Sequence, residues 1–429
     1  MGNTVPIVLN QLVALVLGVV GVAVLTRLVP PEVNGHYQVH FLSLCQLGVL
    51  LTHPGLVNHA SRYWQRESER AGTYSRFLWK ECWLRFTPLL LMVGLAMTMV
   101  AWKEGSWWWM LGIPVVAFCN VVVALETTAR MVVNAGEEHW RVLWLNLAGT
   151  ATRLGLPLAA AALWGSSLAA LGIGFAISSV LMAGMIGMGL RGWSDAPRAQ
   201  GVDGIEKWHR ELVDYGRPFL WLGLGSWMLQ FADRWLISML LGEAKAGLFA
   251  TASSLSAYVP NVILGAMMQK VFPSIFRECD AARDPEDWKR ISIRCGHWTL
   301  GFVAVVLVGL LLLDFLGPRL LQGLLGSDYR ESWSMILPSG MAAMTLQINQ
   351  FHYLILQGQH NSMGMVRVMM AVAGLKTAGS ALCLLAGWDW FVAWLWISMP
   401  LCAFVGRGMI LRMALRGSGE VAGKGGPHG

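Results

Sequence analysis

The 429 residues predict an all-α polytopic membrane protein of about twelve transmembrane helices in two six-helix bundles, and three observations carry that prediction. Hydrophobic residues make up 55% of the chain and charged residues only 13%, against about 45–50% and about 25% in ordinary soluble domains. Apolar windows recur along the chain, each near the ~20 residues a helix needs to cross hydrocarbon. Lys and Arg, finally, collect in alternate connectors. The windows are helices because only helices and closed barrels satisfy their backbone in lipid, and barrel strands would alternate apolar with polar residues. With a mean hydropathy of +0.52, the composition excludes a disordered chain, a nucleic-acid-binding domain and a conventional soluble enzyme.

The first span, 5–29, is apolar up to Arg27 and ends at Pro30-Pro31; the second, 37–57, starts at an aromatic after Gly35. An Arg-rich connector leads to spans 82–102 and 109–131, separated by Lys103, Glu104 and a Trp cluster. Spans 142–164 and 167–190 are joined by a short Gly-Ser turn and close an N-terminal bundle, 1–190. Residues 191–216 hold Gly, Pro and many charges at the midpoint, which marks a cytoplasmic linker. The C-terminal bundle, 217–413, then takes spans 217–241, 246–269, 292–314, 333–355, 365–387 and 389–413. A Gly-rich polar stretch, 414–429, is too poor in apolar residues to fold alone and reads as a flexible cytoplasmic tail. Gly35-His36-Tyr37 and Gly247-Leu248-Phe249 open equivalent spans in the two halves, a faint internal repeat.

Charge sets the orientation. One set of connectors carries Arg62, Arg66, Arg70, Arg76 and Lys80, then Arg191, Arg198, Lys207 and Arg210, then Arg277, Lys289 and Arg290. The opposite set holds Arg27, Lys103, Lys245, Arg319 and Arg330. The asymmetry places both termini in the cytoplasm, and Trp107, Trp108, Trp109, Trp388 and Trp390 at the outer ends fit an aromatic belt. The net charge of +7 follows from this bias without an anionic partner. Seven scattered cysteines form no disulfide framework. The first apolar segment lacks a basic n-region and a small-residue cleavage site, so it reads as a span and not as a signal peptide.

Several chemistries are missing. There is no Gly-x4-Gly-Lys-Ser/Thr phosphate loop, no His-Glu-x-x-His and no Gly-x-Ser-x-Gly. Cys279, Cys295 and His297 have no paired Cys-x-x-Cys to complete a zinc site, so no metal is expected. The outer connectors are too short to hold the active site of a membrane glycosyltransferase, ligase or polymerase. The expected protein is therefore not an enzyme and takes no cofactor.

Function is instead expected of polar residues inside the spans, which cost about 2.5–3.5 kcal/mol each on insertion scales and usually face a cavity or a partner. Arg153 and Lys376 are mid-span in the fifth helix of each half. Two cations at equivalent depth suit a phosphate or diphosphate; the alternative is that each pairs privately within its own bundle. Asp233 and Arg234 are adjacent and so point about 100° apart. Asp233 is a candidate for carrying a coupling proton or sodium and Arg234 for touching substrate, against a purely structural ion pair. Glu126 and Arg130 are spaced i,i+4 and can neutralise each other, the competing role for Glu126 being ion coupling. Asn10 in the first span, and Gln347 with Gln350 in the tenth, are polar stripes that either line a sugar-binding cavity or glue helices together.

The run from Leu25 to Tyr37, with Arg27, Pro31-Glu32 and Gly35-His36-Tyr37, continuing to Gly55-Leu56, resembles the opening of polysaccharide flippases. Ala232-Asp233-Arg234-Trp235, Gly247-Leu248-Phe249 and Phe272-Pro273-Ser274 resemble the same family's seventh and eighth helices. The chain is similar to Wzx-type polysaccharide and O-antigen flippases of the multidrug/oligosaccharidyl-lipid/polysaccharide (MOP) exporter superfamily. That resemblance implies a V-shaped pair of bundles around a cationic central cavity in the bacterial inner membrane. It implies alternating access, a substrate of undecaprenyl-diphosphate-linked oligosaccharide, coupling to a proton or sodium gradient, and a glycan polymerase or ligase as partner. On this reading Arg153 and Lys376 hold the diphosphate, with Arg234 a weaker candidate. The rivals are a multidrug or cation extruder of the same superfamily, a membrane enzyme acting on lipid-linked sugars, and a non-transporting scaffold.

Overall fold

The computed structural model describes residues 4–47, 139–194, 203–282, 284–321, 325–359 and 361–424, with scattered positions between 73 and 133. The third predicted span, most of the fourth, and Arg130 lie outside the described residues. All regular structure among the described residues is helical. In chain order it comprises α1 (Thr4–Leu28), α2 (Pro31–His36) running into a π-helical turn Tyr37–Leu42, α3 (His139–Trp164), α4 (Leu168–Ser194) and α5 (Asp203–Leu241). There follow α6 (Glu243–Ala281), α7 (Pro285–Leu321), a 3₁₀ segment Ser327–Met335, α8 (Ile336–Gln347), α9 (Gln350–Gly358), α10 (Ser362–Ala386) and α11 (Trp388–Lys424). Six of these helices hold segments long and apolar enough to cross a membrane, and the chain is a multi-pass membrane protein. The α5–α6 and α10–α11 connections turn at Gly242 (φ 89°) and Gly387 (φ 135°), where a side chain would be strained.

Two compact units divide the chain, Met1–Trp227 and Met228–Gly429, and the division falls inside α5. In the first unit α3 packs on both α1 and α4. Phe41 meets Phe175 edge-on, with Tyr37, Leu171 and Ala161 buried around them. In the second unit α6 packs on α7 and α8, α8 on α11, and α10 on α11. Helix α7 shows why these helices suit lipid: Phe302, Val306 and Leu310, four residues apart, are fully buried, while Val305, Val308, Leu312 and Phe315 are exposed. One face is core and the other is apolar surface, as a lipid-facing helix requires.

Three expectations differ from the structure. The linker expected over 191–216 is helical at 191–194 and again from Asp203 through 216, as the start of α5. The reason is an amphipathic stripe that the charge density hides. Trp208 and Leu212 are buried one turn apart, Trp208 packs against Tyr74 and Phe77, and Glu206–Arg210 and Lys207–Glu211 pair along the outer face. The tail expected to be flexible from 414 continues α11 to Lys424, no proline intervening before Pro427. The tenth predicted span, 333–355, is broken: α8 stops at Gln347 and α9 starts at Gln350. At the break Gln350 Nε2 donates to the Leu346 carbonyl, 3.4 Å. At the first turn of α6, Lys245 binds Glu331 of the 3₁₀ segment at 2.8 Å, and the ammonium holds that carboxyl below the usual carboxylate range.

Candidate functional site

The most developed polar site lies wholly within the second unit. Its floor is a buried ion pair. Asp233 on α5 and Lys376 on α10 are 4–5% exposed at their side chains and meet at 2.6 Å. The Lys376 ammonium also donates to the Leu229 carbonyl at 2.9 Å. Leu229 and Asp233 are one turn apart, so α5 offers a carbonyl and a carboxylate on one face. Helix α10 answers with Lys376 and Ser380, also one turn apart. The Ser380 hydroxyl donates to Asp233 Oδ1 at 2.7 Å, and Trp394 Nε1 on α11 donates to Ser380 Oγ at 3.1 Å. Both oxygens of Asp233 are thus hydrogen-bonded, which a buried carboxylate requires.

Gly379 makes the arrangement possible. A Cβ there would collide with the Trp394 indole, so only glycine lets the ring approach α10 closely enough to reach Ser380.

Arg234 points away from the pair. Its guanidinium donates to Ser253 Oγ on α6 at 2.9 Å and to Ser254 Oγ at 3.4 Å, and lies 5.2 Å from the centre of the Phe231 ring. Asp233, Arg234 and Lys376 nevertheless line one cavity of about 180 Å³, with Ser253, Asn261 and Gln347 on its wall. Gln347 Nε2 on α8 donates to Asn261 Oδ1 on α6. The Gln347 carbonyl oxygen and the hydroxyl of Ser339, also on the cavity, have no hydrogen-bond partner among the described residues. The space suits several waters or one compact polar group. Two cations and one carboxylate on its wall favour an anion.

The first unit holds a second ion pair. Arg153 on α3 binds Glu126, whose side chain is 1% exposed against 20% for Arg153. Gly149, one turn before Arg153, is again the enabling residue: a Cβ there would strike the Glu126 carboxylate. Asn146, one further turn back, donates its amide to Asn10 Oδ1 on α1 at 3.0 Å, a helix–helix hydrogen bond.

The sequence-based candidates therefore separate. Lys376, Arg234, Asp233 and Gln347 converge on the one cavity. Gln350 caps the Leu346 carbonyl at the α8–α9 break, and Asn10 joins two helices. Arg153 and Glu126 form a pair in the first unit. Both mid-span cations thus have a carboxylate partner in their own unit. Ser253, Asn261, Ser339, Ser380, Trp394 and the two glycines went unnoticed in the sequence. Ser380, Gly379 and Gly149 lie about one turn from a singled-out cation, a spacing that would have flagged them. The others are brought in from distant helices by packing alone.

The polysaccharide biosynthesis protein family matches residues 1–278. No curated protein matches the chain in sequence. Among solved structures, an inward-facing multidrug-resistance MATE transporter of the MOP superfamily superposes with a TM-score of 0.68 at 12% identity, covering 95% of each chain. The lipid II flippase MurJ in an inward closed conformation gives 0.63 at 9% identity, over 97% of this chain and 89% of its own. An outward-facing MATE transporter gives 0.61 at 13% identity, over 97% and 95%. At such identities the likeness is one of fold. The match over 1–278 spans more than half of the sequence, and the chain belongs to the polysaccharide biosynthesis protein family, with the MATE- and MurJ-like fold of the MOP superfamily.

Proposed function

We propose that this protein is a flippase that carries an isoprenoid-diphosphate-linked oligosaccharide from the inner to the outer leaflet of the bacterial inner membrane. The cycle is one of alternating access, with both termini cytoplasmic, and it serves polysaccharide biosynthesis alongside a glycan polymerase or ligase. The observation that carries the reading is the cavity of the second unit. Lys376 and Arg234 stand on its wall with one carboxylate between them in charge, and Gln347 and Ser339 offer unused hydrogen-bonding atoms. A diphosphate takes the cations; hydroxyl groups of the first sugars take the amide and the serine. Arg153 is a further candidate for binding the diphosphate, with Glu126 to receive it when the substrate is gone. Transport draws on a proton or sodium gradient, for which Asp233 and Glu126 are the carboxylates offered. A fold shared with the lipid II flippase MurJ supports the substrate class.

The test is the leaflet location of lipid-linked oligosaccharide in cells with and without the protein. Deletion should strand it on the cytoplasmic side, wild type should restore it, and Arg153→Ala and Lys376→Ala should not, although both variants are made. An unchanged lipid-linked pool on deletion, with resistance to organic cations on expression, would replace this reading with the drug extruder.

A further inference from the structure

We propose that Asp233 is a release residue, a fixed carboxylate of the protein that competes with the substrate's diphosphate for Lys376 and so expels it. The proposal rests on the flippase reading above and adds how the site lets go. An ammonium group has three donors. In Lys376 the described residues engage it twice, at Asp233 Oδ2 (2.6 Å) and at the Leu229 carbonyl (2.9 Å). A diphosphate oxygen and a carboxylate oxygen ask for the same donor in the same way. Both are anionic, so they repel one another across a cavity with low-dielectric walls. Lys376 therefore serves one or the other well, and not both.

The surrounding bonds decide which partner moves. Asp233 is held by its second oxygen to Ser380, which is held in turn by Trp394, packed into the gap at Gly379. The carboxylate is thus anchored from two other helices. Lys376 sits on a flexible four-carbon stem. On substrate arrival the ammonium shifts to the diphosphate while Asp233 stays in place, and on departure it returns. Arg234 differs: it is tied to Ser253 and Ser254, so it holds the anion while Lys376 is the exchangeable grip. No bond is made or broken covalently. The empty site closes as a neutral pair, and substrate binding has to displace that pair each time.

Asp233→Asn keeps the size and an acceptor oxygen while removing the competing charge. Purified Asp233→Asn in nanodiscs should bind inorganic diphosphate and farnesyl diphosphate at least about tenfold more tightly than wild type, the scale of close charge-pair couplings, and flip lipid-linked oligosaccharide more slowly. Unchanged or weaker binding of farnesyl diphosphate by a variant that is folded at the assay temperature, as shown by a cooperative unfolding transition above it, would overturn the proposal, as would tightening confined to inorganic diphosphate. Should Asp233→Asn fail to fold, Ser380→Ala loosens the anchor and leaves all three charges. It should tighten binding in the same direction by a smaller factor, and no tightening there would equally overturn it. Failure of the parent reading looks different: wild type itself would then bind neither probe, and deletion would leave the leaflet distribution unchanged.

Discussion

Lys376 is 3% exposed and lies in the middle of α10, where an uncompensated ammonium would be intolerable. Its partner is a carboxylate held by Ser380 as well. Breaking a buried pair by removing one side costs about 3–5 kcal/mol, because the survivor is left charged and alone. Lys376→Met should therefore lower the unfolding temperature in detergent sharply, and Asp233→Asn added to it should restore much of the loss. A double variant no more stable than Lys376→Met would mean that the pair contributes little. Arg153 is the companion case. At 20% side-chain exposure it retains some access to solvent or ligand, but its partner Glu126, at 1%, is as buried as Asp233, so Arg153→Ala should cost stability on the same scale as Lys376→Met.

At the scale of the element, the two ion pairs share one construction. A helix carries a cation, and a glycine close to it admits a neighbouring side chain: Gly149 for Glu126 and Gly379 for Trp394. Adding one methyl at such a contact costs about 1–3 kcal/mol by overpacking. Gly379→Ala should push Trp394 off Ser380 and so loosen Asp233, and Gly149→Ala should push Glu126 off Arg153. Thermal unfolding together with Trp fluorescence separates the two, since only Gly379→Ala moves an indole. A Gly379→Ala variant with an unshifted spectrum would refute the proposed packing. Helix α5 teaches a related lesson. Its charged first half reads as a linker by composition, yet Trp208 and Leu212 fall on one face and bury. Periodicity outweighs charge content there, because the charges pair with each other along the outside.

For the whole molecule, the proposed reading assigns Arg153 and Lys376 to one diphosphate. Substitutions acting on a single shared ligand are not additive. In a translocation assay the double variant Arg153→Ala/Lys376→Ala should lose less than the product of the two single losses. Fully multiplicative losses would instead mean that the two cations act independently. Linkage also constrains the coupling step. A proton on Asp233 or Glu126 would free its cation and favour the bound anion. On the proposed reading, a gradient ion at either carboxylate would therefore promote loading and would have to leave before release.

Composition, span length and charge asymmetry were enough to establish an all-helical, multi-pass membrane protein, since lipid admits few other solutions and local hydropathy reports them directly. The short motifs around Arg27–Tyr37 and Asp233–Phe249 were enough to point to the family. Lys376, Arg234, Asp233 and Gln347 were legible as site candidates because a buried polar residue is conspicuous in an apolar span. Their partners were not. That Lys376 meets Asp233, some 140 positions away, and that Arg153 meets Glu126 depends on which helix faces pack together. Ser253, Asn261 and Trp394 are ordinary residues until packing brings them to the cavity. A sequence fixes what each helix must hide; only the tertiary structure decides against what, because a buried charge is satisfied by whichever group the neighbouring helix delivers.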